Sequence, residues 1–438
     1  MTPRRFLARR GACDAATANS RYTPPVHAFL ALLAACEPGD PPDSEAADRC
    51  GPVLQADYDC EDVTSVATIE RTMPAGIPVT DVPVGLAVGD LAGSGTPQLY
   101  VGTNTTLTRL DGEGWATVTD LWVHASGKVV PLLADLTADG ITDLVLGLPQ
   151  SDDGAGQVLL FPGPVTGPLD WDSPHVELQG EHGEGGVLHA ADLDGDGILD
   201  LAVGSSVVFG PVLEDRLLGG GADVVFDKVH LGVGDVTGDG VADLLFVGED
   251  PDVACETAWR DQPLVVPGPL AAGQHDTWES ALRLGLPAKL VLHPYFPATL
   301  ADADGDGGAD VVAFAVDLDY TVALWPMALV WPGPGAHGVA PRRRLGGAWC
   351  PTGDIDGDGM ADALGGEPGD DAAPASLVYL GPLVDRPGVD PATCTVAADE
   401  RWLSAAIQES TDPWVGELDG DGRPDVVSAV RSVDGEDL

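Results

Sequence analysis

Positive charge is scarce in this sequence: 21 Lys and Arg stand against 70 Asp and Glu, a formal charge of -49. A folded body this acidic is a poor partner for nucleic acid or anionic lipid, both of which are gripped by clustered Lys and Arg. The one tight basic cluster, Arg342-Arg343-Arg344, reads as a solvated strand or loop face. Long apolar runs are missing too, since no stretch approaches the roughly 18 residues of a membrane span. Helical periodicity is almost absent; "RWLSAAIQES", residues 401–410, offers one or two helical turns at most. Catalytic signatures are also lacking: there is no HExxH, no G-x-S-x-G, no P-loop and no Cys-His pattern, which argues against an enzyme. His182 and His189, flanking "GEGGVL", read as structural. No cysteine spacing resembles a zinc site.

What is present instead is one short acidic loop, repeated. Its copies begin at Asp90, Asp135, Asp192, Asp235, Asp302, Asp354 and Glu417, separated by 45, 57, 43, 67, 52 and 63 residues. Periods of that size mark propellers, solenoids or arrays. Side-chain oxygens at loop positions 1, 3, 5 and 9, with the backbone carbonyl at 7, can wrap a hard cation as the calcium loop of EF-hands does. No nitrogen or sulfur ligand occurs, so zinc and copper are excluded and Ca²⁺ is favoured over Mg²⁺. Position 6 is glycine in every copy, as a positive-φ turn requires.

The copies are unequal. Four offer four acidic side chains each: Asp192, Asp194, Asp196, Asp200 with the carbonyl of Ile198; Asp302, Asp304, Asp306, Asp310 with Gly308; Asp354, Asp356, Asp358, Asp362 with Met360; and Glu417, Asp419, Asp421, Asp425 with Arg423. Two replace the second ligand by threonine and are expected to bind more weakly: Asp135, Thr137, Asp139, Asp143 with Ile141, and Asp235, Thr237, Asp239, Asp243 with Val241. The first copy, "DLAGSGTPQ", has Ala92, Ser94 and Gln98 where carboxylates should stand and is expected to hold no metal. Two carboxylates about 5 Å apart repel by roughly 3 kcal/mol at an effective dielectric of 20. Several such pairs rival a typical domain stability of about 5 to 15 kcal/mol, so binding of about four to six Ca²⁺ should be coupled to folding.

The beginning of the chain differs in composition. Arg4, Arg5, Arg9, Arg10 and Arg21 precede the apolar run "VHAFLALLAAC", the pattern of an export signal. Leu33-Ala34-Ala35-Cys36 resembles the bacterial lipoprotein signal. That resemblance implies a lipidated Cys36 at the mature N-terminus, followed by Glu37, which would not retain the protein at the inner membrane. Residues 1–36 are therefore read as the signal and 37–61 as a flexible acidic linker rich in Pro, Asp and Glu. Export permits disulfides; Cys50 with Cys60 is the easiest local pair among Cys50, Cys60, Cys255, Cys350 and Cys394.

Between the acidic loops lie short strand-like runs, and a second repeat runs in phase with the first: "VLLFPGP", "VVFGP", "LVVPGP", "LVWPGP" and "LVYLGP". Four short strands with their turns need about 40 to 45 residues, the size of a propeller blade. Over roughly residues 65 to 438 the chain resembles the FG-GAP repeat family, whose best-known members form the seven-bladed propeller at the head of integrin α chains; "DLTADGITDLVLGLPQSDDGAGQVLLFPGP" carries that pattern. The resemblance implies an all-β, seven-bladed β-propeller over residues 62–438 with calcium between the first two strands of a blade. The last blade, starting at Glu417, is short of strands, and the segment 65–73 is expected to complete it and close the ring.

The expected function is a non-catalytic binding or adhesion module, monomeric and exported to the outer membrane, cell surface or medium, meeting the membrane only through the lipid. Its ligand would be a protein or glycan. Longer insertions opposite the metal loops bring together Trp259, Arg260, Tyr320, Trp325, His275 and Trp278, residue types favoured at recognition surfaces. The rival readings are an enzyme acting on extracellular polysaccharide or phospho-ester, and a structural envelope scaffold.

Overall fold

A computed structural model gives an all-β architecture of several antiparallel sheets. It describes residues 69–72, most of 83–317 and, beyond that, chiefly the strands up to residue 427. All of these belong to one unit, Pro52–Leu438. The signal and linker readings, with Cys36, and also Cys50, Cys60, Cys255 and Cys394, fall outside the described residues. One helix is described, Thr277–Ser280, and none of the described helices is long and apolar enough to cross a membrane.

The first sheet takes the strands Pro83–Gly89, Gln98–Thr103, Thr106–Asp111 and Thr117–Val123 in sequence order. The second takes Val130–Ala134, Asp143–Leu148, Gln157–Phe161 and Val176–Gln179, and the third takes Leu188–Ala191, Asp200–Val203, Ser206–Val208 and Val224–Phe226. A fourth sheet is built on Gly232–Gly234, a fifth on Asp310–Asp317, and a sixth on Trp349–Gly353; Trp414–Gly416 pairs with Asp425–Val427 beyond them. Every acidic loop joins two antiparallel strands in one register. The residue before position 1 pairs with position 9: Gly89 with Gln98, Ala134 with Asp143, Ala191 with Asp200, Gly234 with Asp243, Ala301 with Asp310, Gly353 with Asp362 and Gly416 with Asp425.

The second strand of a sheet is apolar on both faces because a neighbouring sheet covers each. Asp143–Leu148 is buried along its whole length. Its Leu144, Leu146 and Leu148 pack with Tyr100, Leu107 and Leu121 of the first sheet, while Val145 packs with Leu201 and Val203 of the third. The same alternation joins the third sheet to the fourth through Phe226 and Phe246, and the fourth to the fifth through Leu245 and Trp331. Apolar burial of this kind contributes about 25 cal/mol per Å².

The innermost strands follow one another in a closed order. Pro83–Gly89 lies against Val130–Ala134, that against Leu188–Ala191, and so on through Gly232–Gly234, Thr299–Ala301, Trp349–Gly353 and Trp414–Gly416, which returns to Pro83–Gly89. The segment expected to complete the last blade sits elsewhere. Ile69–Thr72 runs parallel to Glu400–Leu403 on the outer edge of the sixth sheet, not beside Trp414–Gly416. Arg216–Leu217 and Gly273–His275 take the same parallel edge position on the second and third sheets, each from chain that belongs to the following sheet. In these three sheets the returning segment covers N–H and C=O groups that an edge strand would otherwise leave free. Of residues 401–410, read as one or two helical turns, the first three are strand in Glu400–Leu403 and the rest lie outside the described residues. Arg343 and Arg344 lie in the strand Arg343–Gly346.

Candidate metal centre

Five of the acidic loops are described, four whole and the one at Asp302 without Asp304, and all fold alike. The carboxylate at position 1 folds the loop over itself by accepting backbone N–H groups from positions 4 to 6. Asp192 takes Gly195 N at 2.7 Å and Gly197 N at 2.9 Å; Asp235 takes Gly238 N at 2.7 Å and Gly240 N at 2.8 Å. Position 5 accepts the N–H of position 7, as in Asp139 with Ile141 (2.8 Å), Asp196 with Ile198 (2.8 Å), Asp239 with Val241 (2.9 Å) and Asp306 with Gly308 (2.8 Å). These bonds need a left-handed turn at position 6, and Gly95, Gly140, Gly197, Gly240 and Gly307 all have φ between 80° and 89°.

Position 9 does more than the sequence discloses. Asp143, Asp200, Asp243 and Asp310 are at most 1% exposed. One oxygen of each accepts the N–H of position 2, and in Asp143, Asp200 and Asp243 also that of position 3, for example Leu193 at 2.8 Å and Asp194 at 3.2 Å on Asp200. The other oxygen accepts the N–H of the glycine in the second repeat: Gly163 at 3.0 Å, Gly210 at 2.8 Å, Gly268 at 2.9 Å and Gly333 at 2.7 Å. The ninth aspartate therefore staples the metal loop to the "GP" turn, and this is why the two repeats run in phase. A side chain on Gly210 would come within 2.3 Å of the Leu199 carbonyl, so the turn accepts glycine alone.

Asp192, Asp194 and Asp200 each bring a carboxylate oxygen to within 4.8 Å of the others, while Asp196 stands outside that cluster. Burial pushes the Asp200 carboxyl up to about 6; N–H groups of Gly210 and Leu193 oppose the shift, and the charge of Asp194 adds to it. Asp243 is raised in the same way, by burial first, against the N–H groups of Gly268, Thr237 and Val236, with Asp235 adding to the rise. Both are carboxylates short of a positive partner. In the two threonine loops the hydroxyls of Thr137 and Thr237 are buried and have no hydrogen-bond partner. A buried hydroxyl without a partner costs about 1 to 3 kcal/mol. An all-oxygen set with a spare hydroxyl at position 3 fits a hard divalent cation, and the residues that would hold it are those at positions 1, 3, 5 and 9. Asp304, Asp354, Asp356, Asp358, Glu417, Asp419, Asp421 and Arg423 lie outside the described residues; Met360, at position 7 of its loop, is half-buried, Asp362 is buried and Asp425 begins a strand.

Successive loops are joined. The Asp192 carbonyl accepts Ala242 N at 3.1 Å from the next loop, and the Leu193 carbonyl accepts Leu270 N at 2.7 Å. Likewise the Asp235 carbonyl accepts Ala309 N at 3.0 Å. Sequence reasoning has no signal for these bonds, because they depend on which sheet lies beside which.

The recognition patch does not survive in the form expected. Trp278 is 6% exposed, packed in the core between the third and fourth sheets with the Arg283 guanidinium 4.4 Å above its ring. His275 packs at a tilt against Phe226, ring centroids 5.6 Å apart, and meets the Ala271 carbonyl at 2.7 Å. Trp259, Arg260, Tyr320 and Trp325 lie outside the described residues. His189 pairs with His230, Nδ1 to Nε2 at 3.0 Å, and His230 Nδ1 donates to the Gly204 carbonyl at 2.6 Å. His182 is not among the described residues.

An FG-GAP-like repeat occupies residues 135–203, from the second acidic loop through the third and the strand after it. No curated protein matches the chain. Among solved structures, an Agrocybe aegerita lectin specific for non-reducing terminal N-acetylglucosamine is 15% identical, covering 81% of this chain and 78% of its own, with a TM-score of 0.28. The Pseudomonas aeruginosa PilY1 C-terminal domain is also 15% identical, over 78% of this chain and 82% of that one, with a TM-score of 0.35. Likenesses this shallow carry no weight for function.

Proposed function

We propose that the chain is a seven-bladed β-propeller of FG-GAP type, held in shape by about four to six Ca²⁺ in its acidic loops. It serves as a non-catalytic binding or adhesion module outside the cytoplasm, tethered at the cell envelope through Cys36, and its ligand is a protein or glycan. The ring reading is supported by the closed order of the innermost strands and the shared loop register. The observation that carries the metal reading is the pair of buried, unpartnered hydroxyls, Thr137 and Thr237, at position 3, the second ligand place, of their loops. Raised carboxyls at Asp200 and Asp243 support the same reading.

The test is a melting curve of the purified chain across free Ca²⁺, beside a count of bound ions. The melting temperature should climb with Ca²⁺ and fall in chelator, because an ion bound only to the folded state stabilises it by about 2.7 kcal/mol per site at a hundred times its Kd. An unchanged melting temperature in EDTA would sink the metal reading. Screening the Ca²⁺-loaded protein against glycan arrays and envelope extracts then tests the binding role.

A further inference from the structure

The first loop keeps the fold of the others without their carboxylates, and its geometry shows how. Gln98, at position 9, is 3% exposed. Its Nε2 donates to Ser94 Oγ at 2.7 Å, to the Thr96 carbonyl, and more distantly to Asp90 Oδ1 at 3.4 Å. Those three oxygens stand at positions 5, 7 and 1, three of the places from which the other loops would face a cation. Oε1 of the same amide accepts Tyr100 Oη at 3.0 Å and Ala92 N at 3.4 Å. The orientation is fixed by chemistry, since the Thr96 carbonyl can only accept and the Ala92 amide can only donate.

We propose that the Gln98 amide nitrogen is a built-in substitute for the metal ion, so that the first loop is closed at any cation concentration. This rests on the metal reading of the other loops. Charge explains the exchange. A loop with three or four carboxylates needs a divalent ion, whereas Asp90 alone is matched by the partial positive charge of an NH₂ group. The closed loop also holds its neighbour, because the Leu91 carbonyl accepts Val165 N at 2.8 Å from the "GP" turn of the second sheet. That junction stays formed when the other loops are stripped of metal.

The decisive variant is Gln98→Glu in the full chain, nearly isosteric, which keeps one acceptor oxygen for Tyr100 and Ala92 and turns the NH₂ into a second oxygen facing Asp90. Its melting temperature should fall below wild type in EDTA, recover in millimolar Ca²⁺, and be accompanied by one more bound ion per chain. Equal melting of variant and wild type in EDTA, or a loss that Ca²⁺ does not restore with no added ion, would overturn the proposal. Ser94→Ala gives an independent reading: it should lower stability equally with and without Ca²⁺, and a loss confined to Ca²⁺ would show a metal site there. If wild type binds no ion and Gln98→Glu binds one, the Gln98 assignment stands while the metal reading of the other loops falls. If wild type binds several and the variant no more, the reverse holds.

Discussion

His230 has no choice of tautomer. The Gly204 carbonyl can only accept, so Nδ1 of His230 carries the proton and Nε2 offers its lone pair to His189 Nδ1–H. Burial holds both imidazoles well below their ordinary range, His189 at about 4 and His230 at about 3, the latter also repelled by His189. The consequence for stability follows from linkage. Above about pH 6.5 both states are neutral and nothing is lost; as pH falls from about 6.5 towards 4, the unfolded chain takes protons that the folded chain refuses, and stability drops. Replacing His189 by Leu should make that loss shallower, read as the difference in melting temperature between pH 8 and pH 5. A pH dependence as steep as wild type would place the proton uptake elsewhere. His189 was legible in the sequence as structural, but its partner 41 residues away was not.

At the scale of the element, a loop and its strands form a unit that extends into the next. Position 9 was read as a ligand, and the structure makes it the staple between the loop and the "GP" turn as well. The carbonyl of Asp192, itself at the first ligand position, accepts Ala242 N from the following loop. Emptying one loop should therefore loosen the next. In Ca²⁺, Asp194→Ala should speed hydrogen exchange at the amides of Ala242 and Leu270, which bond to Asp192 and Leu193, while the amide of Val165, bonded to Leu91 in the first loop, stays protected. Unaltered exchange at Ala242 and Leu270 would mean the loops act independently.

Across the whole molecule, the edges of the second and third sheets are closed by segments borrowed from the following sheet, and Ile69–Thr72, from ahead of the first sheet, does the same for Glu400–Leu403. Removing residues 1–72 should expose that edge, lower the melting temperature and promote self-association, measured by calorimetry and by light scattering. A truncated chain as stable and monodisperse as the full one would make the pairing dispensable. The sequence by itself determined the all-β class, the loops and their glycines, because ligand spacing, positive-φ turns and apolar runs are local properties. It also marked Asp90's loop as the odd copy. Only the tertiary structure decided that Gln98 fills that loop, that Trp278 is core rather than surface, that Ile69–Thr72 covers the sixth sheet rather than completing the last, and that each ninth aspartate ties two repeats together. Each of those depends on which non-local groups meet, and pairing between distant strands is set by the sum of packing and edge satisfaction over all the sheets, which no short stretch of sequence encodes.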